Sequence, residues 1–241
     1  MIRTFLVGLV AVAIAGFAMA LEPVSPAKPK AESAAPFRAG GNEPPWRLDI
    51  GVGKMTLLTN YGQARAEAET PRPVATPDSW KYVAHAGGRD MVVTILDRMC
   101  VDSMTGMPYP DTVTVLFEGK TLGGCGGDPA ALLRGAEWLV TEINGAPVLP
   151  QSRVTMNFNA DGRVSGKGTC NSYTGSYEVT GEGLRFSRPA ATLMACMDAP
   201  MRQEAAFLGV LNDARTFEMP PGGALVLRTG DKRTIKAVRA S

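Results

Sequence analysis

The chain has 241 residues, 45% of them hydrophobic and 20% charged, which is typical of a globular protein and not of a disordered one. This length suffices for one large or two small domains. The formal net charge of +2 is too close to balance to indicate binding to nucleic acid or to an anionic membrane surface. The 27 glycines and 18 prolines favour many turns and short strands over long helices.

Residues 1–20 have the pattern of a secretory signal: Arg3, an apolar run over residues 5–17, and Ala-Met-Ala at 18–20. The alternative is an uncleaved inner-membrane anchor, but the run is short for a span of about 20 residues. Residues 21–36 are rich in Ala, Pro, Lys and Glu, which predicts a disordered linker. We therefore expect a periplasmic or secreted protein without a stable membrane span after cleavage.

Four cysteines follow the linker, and they fall as two pairs of similar spacing. In an oxidising compartment an even count indicates disulfides, and four cysteines allow three connectivities. We predict Cys100–Cys125 and Cys170–Cys196, because each bond then closes a short loop within one half of the chain. Each is expected to contribute about 3 kcal/mol, mainly by restricting the unfolded chain.

The first half shows the alternation of half-buried strands, beginning with Trp46, Leu48 and Ile50. Further strands are predicted at 55–59, 80–84, 91–96 and 112–117. The polar, proline-rich residues between Tyr61 and Asp78 indicate a long loop. The glycines on both sides of Cys125 indicate a tight turn or a bulge.

After one or two helical turns predicted near residues 128–135, a second series of strands begins at Trp138. The predicted helix covers residues 200–212, with Asp198 as its cap. Short strands at regular intervals with one helix predict a mainly β (α+β) chain of two small antiparallel-sheet or barrel-like domains. We predict an N-terminal β-rich domain over 37–134 and a second domain over 135–241.

Several segments of the second half occur together in one known family: Trp138-Leu139, residues 143–145, 158–166, Cys170-Asn171, 175–177, 192–196 and 204–208. Together they resemble the META (HslJ-like) domain family across 135–238. This resemblance implies a small β-rich domain whose sheet wraps around a helix, in secreted or membrane-associated proteins linked to stress. The family has no established catalytic residues, so the resemblance assigns none.

The first half is similar to an uncharacterised family of bacterial envelope proteins. The residues that carry this similarity are 41–46, 100–110 and 124–126. The similarity brings no known activity.

Candidate catalytic groups are few. His85 is the sole histidine, and the sequence has no nucleophile elbow, zinc-protease motif or phosphate-binding loop. Asp102, Asp111 and Asp128 flank the first cysteine pair and are candidates for acid–base work, but capping of turns explains them more simply. We expect no catalytic residues, no cofactor and no enzymatic activity.

Two sets of residues are candidates for binding. Asn171, Ser172 and Tyr173 are predicted on an exposed turn that could contact a ligand, although a turn-stabilising Asn171 is the simpler interpretation. Met104, Met107, Met194 and Met197 supply soft sulfur ligands of the kind that select Cu(I), although methionines also fill irregular cores.

The sequence thus predicts a non-enzymatic, stress-related envelope protein that binds an unknown envelope protein or ligand, and no nucleic acid. The alternatives are a Cu(I)-binding or copper-tolerance factor and an inhibitor of a cell-wall lytic enzyme.

Overall fold

A computed structural model of the chain describes residues 35–240. The predicted signal at 1–20 and nearly all of the predicted linker at 21–36 lie outside the described residues. Within the described part, the chain folds into two large antiparallel sheets, a two-stranded ribbon and one α-helix.

The first sheet is built from the first half of the chain and has nine strands in the order β4-β3-β2-β1-β11-β10-β7-β6-β5. The strands of this half, including the separate ribbon β8–β9, are β1 (Phe37–Asn42), β2 (Pro45–Ile50), β3 (Met55–Thr59), β4 (Ala64–Ala68), β5 (Val74–Thr76), β6 (Ser79–Ala86), β7 (Arg89–Leu96), β8 (Cys100–Val101), β9 (Pro108–Tyr109), β10 (Asp111–Phe117) and β11 (Lys120–Gly126).

Alternation along these strands builds the first core, as the sequence predicted. Trp46, Leu48 and Ile50 of β2 are buried, whereas Arg47 between them is exposed. The same pattern buries every second residue of β7 and β10. The curved sheet therefore encloses one apolar face as a half-barrel.

Two predictions for this half are wrong. The residues between Tyr61 and Asp78 form strands β4 and β5 at the two edges of the sheet instead of one long loop. Gly123, Gly124 and Gly126 lie within strand β11 instead of in a turn. Glycine is required at position 124 because a Cβ on Gly124 would collide with the carbonyl oxygen of Gly40 on the neighbouring strand β1.

The second sheet has the path β17-β16-β15-β14-β12-β21-β20-β19, with β13 beside β12 and β18 beside β16. Its strands, with the helix of this half, are β12 (Glu137–Ile143), β13 (Ala146–Pro147), β14 (Thr155–Phe158), β15 (Arg163–Lys167), β16 (Ser172–Thr180), β17 (Gly183–Phe186), β18 (Ala190–Ala191), α1 (Asp198–Asp213), β19 (Ala214–Glu218), β20 (Leu225–Thr229) and β21 (Thr234–Arg239).

This sheet curls into a nearly closed barrel around α1. β17 approaches β19 so closely that a Cβ on Gly183 would collide with the carbonyl oxygen of Arg215. The helix buries Phe207, Val210 and Leu211 against the inner face of the sheet. Its N-cap is Met197 without a side-chain cap, so the predicted capping by Asp198 is wrong, because Asp198 is already the first helical residue.

The predicted fold class is confirmed: the described chain is mainly β, with one helix and two antiparallel, barrel-like sheets that have separate cores. The second core also takes residues from before position 135. Leu133 is fully buried in it, and Met107 reaches it from the ribbon β8–β9. A 3-10 helix over Pro129–Leu132 connects the halves, and the Asp128 carboxylate accepts a hydrogen bond from the Ala130 amide at its start.

Candidate functional site

Both predicted disulfides are present in the structure. Cys100–Cys125 ties the ribbon β8–β9 to β11, with the Cα atoms 5.4 Å apart. Cys170–Cys196 ties the approach to β16 to the segment before α1, with the Cα atoms 6.2 Å apart. Each crosslink joins residues of one half, which matches the connectivity predicted from spacing.

A cleft of about 1030 Å³ lies between the two halves. The first half contributes all of strand β1 together with Trp46, Asp102 and Tyr109. The second half contributes the end of β16 and the turn that follows it, at Val179, Thr180 and Gly181. Residues from all three segments 41–46, 100–110 and 124–126 line this cleft. Because both halves supply walls, the cleft is the candidate functional site of the molecule.

Close backbone contacts shape the wall of the cleft formed by the first half. The Trp46 indole Nε1 donates a hydrogen bond of 3.1 Å to the carbonyl oxygen of Gly123. A Cβ on Gly41 would collide with both groups, so only glycine lets β1 pass beneath the indole ring. The Asn42-to-Trp46 hairpin is thus fixed rigidly at the edge of the cleft.

Asp102 connects this hairpin to the β8–β9 turn. Its carboxylate accepts a 2.9 Å hydrogen bond from Asn42 Nδ2 and further bonds from the Met104 and Thr105 amides. Burial alone would raise the pKa of Asp102, but the hydrogen bonds from Thr105, Asn42 and Met104 outweigh it and lower the pKa. Asp102 is therefore an ionised turn cap, as the simpler interpretation predicted, and Asp128 caps the 3-10 helix in the same way.

The rim of the cleft carries positive charge that is only partly neutralised. Arg38 and Arg47 both lie within ion-pair distance of Asp49, at 3.4 and 3.2 Å, and both remain largely exposed. Inside the cleft, burial and then the charge of Asp102 raise the pKa of Tyr109, so its hydroxyl stays protonated. Such a surface offers aromatic, cationic and hydrogen-bonding contacts to a polar ligand.

The predicted exposure of Asn171 and Tyr173 is wrong. Both residues are buried at 4% exposure, and only Ser172 between them faces solvent. The Tyr173 hydroxyl donates to the carbonyl oxygen of Thr155 at 2.9 Å, and its ring packs edge-on against Phe207. Strand alternation explains the difference, because β16 begins at Ser172 and turns Tyr173 toward the core.

Asn171 has a structural role that involves Glu204 of α1, a residue that we did not predict as important. The buried Glu204 carboxylate accepts hydrogen bonds from Cys170 N, Asn171 N and Asn171 Nδ2 at 2.6–2.7 Å. Helical periodicity could have identified it, since Glu204 shares the buried face of α1 with Phe207 and Leu211.

The four methionines of the Cu(I) hypothesis differ in their environments. Met107 is buried at 3% exposure in the second core, whereas Met104, Met194 and Met197 are exposed. The described residues hold no group of three or more His, Cys, Asp or Glu side chains suited to a metal ion. A site with methionine ligands remains a prediction.

His85 lies exposed at the end of β6, where Nδ1 is 2.6 Å from Asp90 Oδ1 across the β6–β7 hairpin. It does not line the cleft. Between residues 35 and 240, no helix combines the length and the apolar character needed to cross a membrane.

Comparison with known proteins identifies the second half only. Two solved structures are similar to part of the chain. An NMR structure of a protein from Burkholderia xenovorans has 23% identity and a TM-score of 0.39, and the match covers 46% of this chain and 86% of that one. A second NMR structure has 18% identity and a TM-score of 0.38, and the match covers 45% of this chain and 92% of that one. No curated protein matches the chain. The family model of the META domain matches residues 131–241 of the chain.

Proposed function

We propose that this protein is an exported, non-enzymatic binding protein of the cell envelope, stress-related, which holds another envelope component in the cleft between its two halves. The observation that carries this proposal is the cleft itself. Both halves contribute residues to its walls, and residues from segments 41–46, 100–110 and 124–126 of the first half line it. The META domain supports a role in envelope stress.

Export is supported by the two disulfides, since such crosslinks persist in oxidising compartments and are rare in the cytosol. Mass spectrometry of protein recovered from cells tests this part directly. Free thiols in the recovered protein would contradict export.

Binding in the cleft is tested by placing a photo-crosslinking amino acid at Arg47 or Ala131, two exposed residues of its lining, in living cells. Lys81 on the outer face of β6 is the matched control, because it is exposed and lies outside the cleft. We expect one discrete adduct that is shared by both cleft positions and absent from the control. Adducts of equal yield at all three positions, or at none, would contradict the proposal.

A further inference from the structure

The segment between β18 and the second turn of α1 exposes four large apolar side chains, and we call residues 192–201 the apolar loop. Leu193 is 99% exposed, Met197 79%, Met194 59% and Met201 39%. A contiguous set of exposed apolar side chains is unusual on a soluble protein surface and marks a surface of contact.

The protein holds this loop in place. The disulfide Cys170–Cys196 fastens its middle, and Asn171 Oδ1 accepts 2.7 Å hydrogen bonds from Thr192 Oγ1 and Met194 N. Asn171 is itself fixed by Glu204 on the helix. The apolar side chains therefore project from a crosslinked segment that is anchored on the buried Asn171 and Glu204, and their exposure is a property of the fold.

Three exposed cationic side chains lie near the loop along the chain or across the sheet. Arg188 lies two residues before β18, and Arg202 directly follows Met201. Lys167 lies opposite Ser172 in the sheet, and the Ser172 amide contacts Thr192 Oγ1. All three are exposed, and none is ion-paired to another described residue. Asp198 is the sole acidic residue between positions 186 and 203, so the near-neutral charge of the whole chain conceals a local positive excess.

The protrusion of the loop favours a lipid surface over a protein groove as its partner. A leucine that is 99% exposed has no neighbouring side chains to form part of a flat interface, and the loop contains no aromatic anchor of the kind that dominates protein interfaces. The boundary between headgroups and acyl chains accepts protruding apolar side chains without a complementary pocket, and anionic headgroups attract the surrounding cations. We propose that the apolar loop, with Lys167, Arg188 and Arg202, docks this protein onto an anionic lipid surface.

Co-flotation with vesicles tests the proposal, using the chain in the form it takes after export with its N-terminal end verified by mass spectrometry. We expect binding to vesicles that contain phosphatidylglycerol, weaker binding to pure phosphatidylcholine, and loss of binding as salt is raised. Leu193→Asp should weaken binding at least about tenfold. Arg188→Gln and Arg202→Gln should each weaken it about fivefold at low salt.

Two matched variants serve as controls. Val52→Asp changes an equally apolar side chain that is 81% exposed on the other half, and Lys120→Gln removes an exposed cation there. Both should bind vesicles as the wild type does. The proposal is overturned if the wild type does not bind, if the controls weaken binding as much as the loop variants, or if Leu193→Asp instead abolishes a dimer in solution. Loss of crosslinking in the cleft would leave this proposal unaffected, because the two surfaces share no residue.

Discussion

At the residue scale, Glu204 determines how the apolar loop is held. Its buried carboxylate accepts hydrogen bonds from two backbone amides and one side-chain amide of the segment that contains Cys170 and Asn171. A charged acceptor with this many donors forms strong hydrogen bonds, and removing the charge leaves the donors with a poorer partner. Glu204 therefore connects the helix to the disulfide and to the loop.

Glu204→Gln should lower the free energy of unfolding by about 1.5–3 kcal/mol. The substitution replaces the charged carboxylate by a neutral amide, and the NH2 group of this amide lies opposite N–H donors that it cannot accept from. Urea unfolding at neutral pH measures the effect. Glu182→Gln, in the exposed turn between β16 and β17, is the matched control and should change stability little. Equal behaviour of the two variants would show that the network contributes nothing.

The same carboxylate predicts a dependence on pH. Burial alone would raise the pKa of Glu204, but the hydrogen bonds from Asn171 and Cys170 lower it below the ordinary 4.5. Because the pKa of Glu204 is lower in the folded state than in the unfolded state, the ionised carboxylate contributes fully to the free energy of unfolding above the unfolded pKa. This contribution is lost as the pH falls through the folded pKa. The stability difference between wild type and Glu204→Gln should therefore shrink from neutral pH toward about pH 3. A constant difference across this range would contradict the assignment.

At this scale the sequence predicts the disulfide pairs correctly but fails for two of the buried residues around Cys170. The disulfide pairs follow from spacing, whereas the sequence places Tyr173 on an exposed turn because the start of β16 carries no apolar alternation that marks it as a strand. Sequence alone does not show the role of Glu204, because its three hydrogen-bond donors lie more than 30 residues earlier in the chain.

At the element scale, strands β1 and β11 approach each other so closely at Gly40 and Gly124 that no side chain would fit between them. Gly40 pairs with Cys125, and a Cβ on Gly124 would collide with the Gly40 carbonyl oxygen. Gly123, the next residue in the same strand, has open space where its Cβ would lie. Two adjacent glycines therefore serve different purposes, and only one of them is sterically required.

Gly124→Ala should destabilise the protein by about 1–3 kcal/mol, the usual cost of inserting a methyl group that the backbone cannot accommodate. Gly123→Ala is the matched control in the same strand and should be nearly neutral or slightly stabilising, because alanine restricts the unfolded chain more than glycine does. Thermal unfolding of the two variants measures both effects. A larger loss for Gly123→Ala would contradict the close approach of these strands.

Whether a strand could be predicted depended on whether one of its faces is buried. β2, β7 and β10 showed clear alternation because they pack on the first core. The edge strands β4 and β5 have the sequence pattern of a loop, since β5 is exposed along its whole length and β4 buries no residue fully. Their pairing with β3 and β6 depends on backbone hydrogen bonds, which leave no pattern in the sequence.

At the scale of the whole molecule, the core of the META half extends beyond the boundary predicted from the sequence. Leu133 is fully buried in it, and the Trp138 indole Nε1 donates a 2.7 Å hydrogen bond to the Leu133 carbonyl oxygen. Arg134 links Asp128 to the Tyr177 hydroxyl of β16, with distances of 3.0 and 2.9 Å. The family model likewise begins at residue 131. We therefore propose that the second folding unit includes the connecting 3-10 helix.

A fragment of residues 128–241 should consequently be more stable than one of residues 135–241, by at least about 2 kcal/mol, the lower end of the cost of removing a buried leucine. Urea unfolding of both fragments, with Cys170–Cys196 oxidised, measures the difference. Leu133→Ala in the longer fragment should reproduce most of it, whereas Leu132→Ala should cost less because Leu132 is only partly buried. Equal stability of the two fragments would place the boundary at 135, and the connecting helix would then belong to neither core.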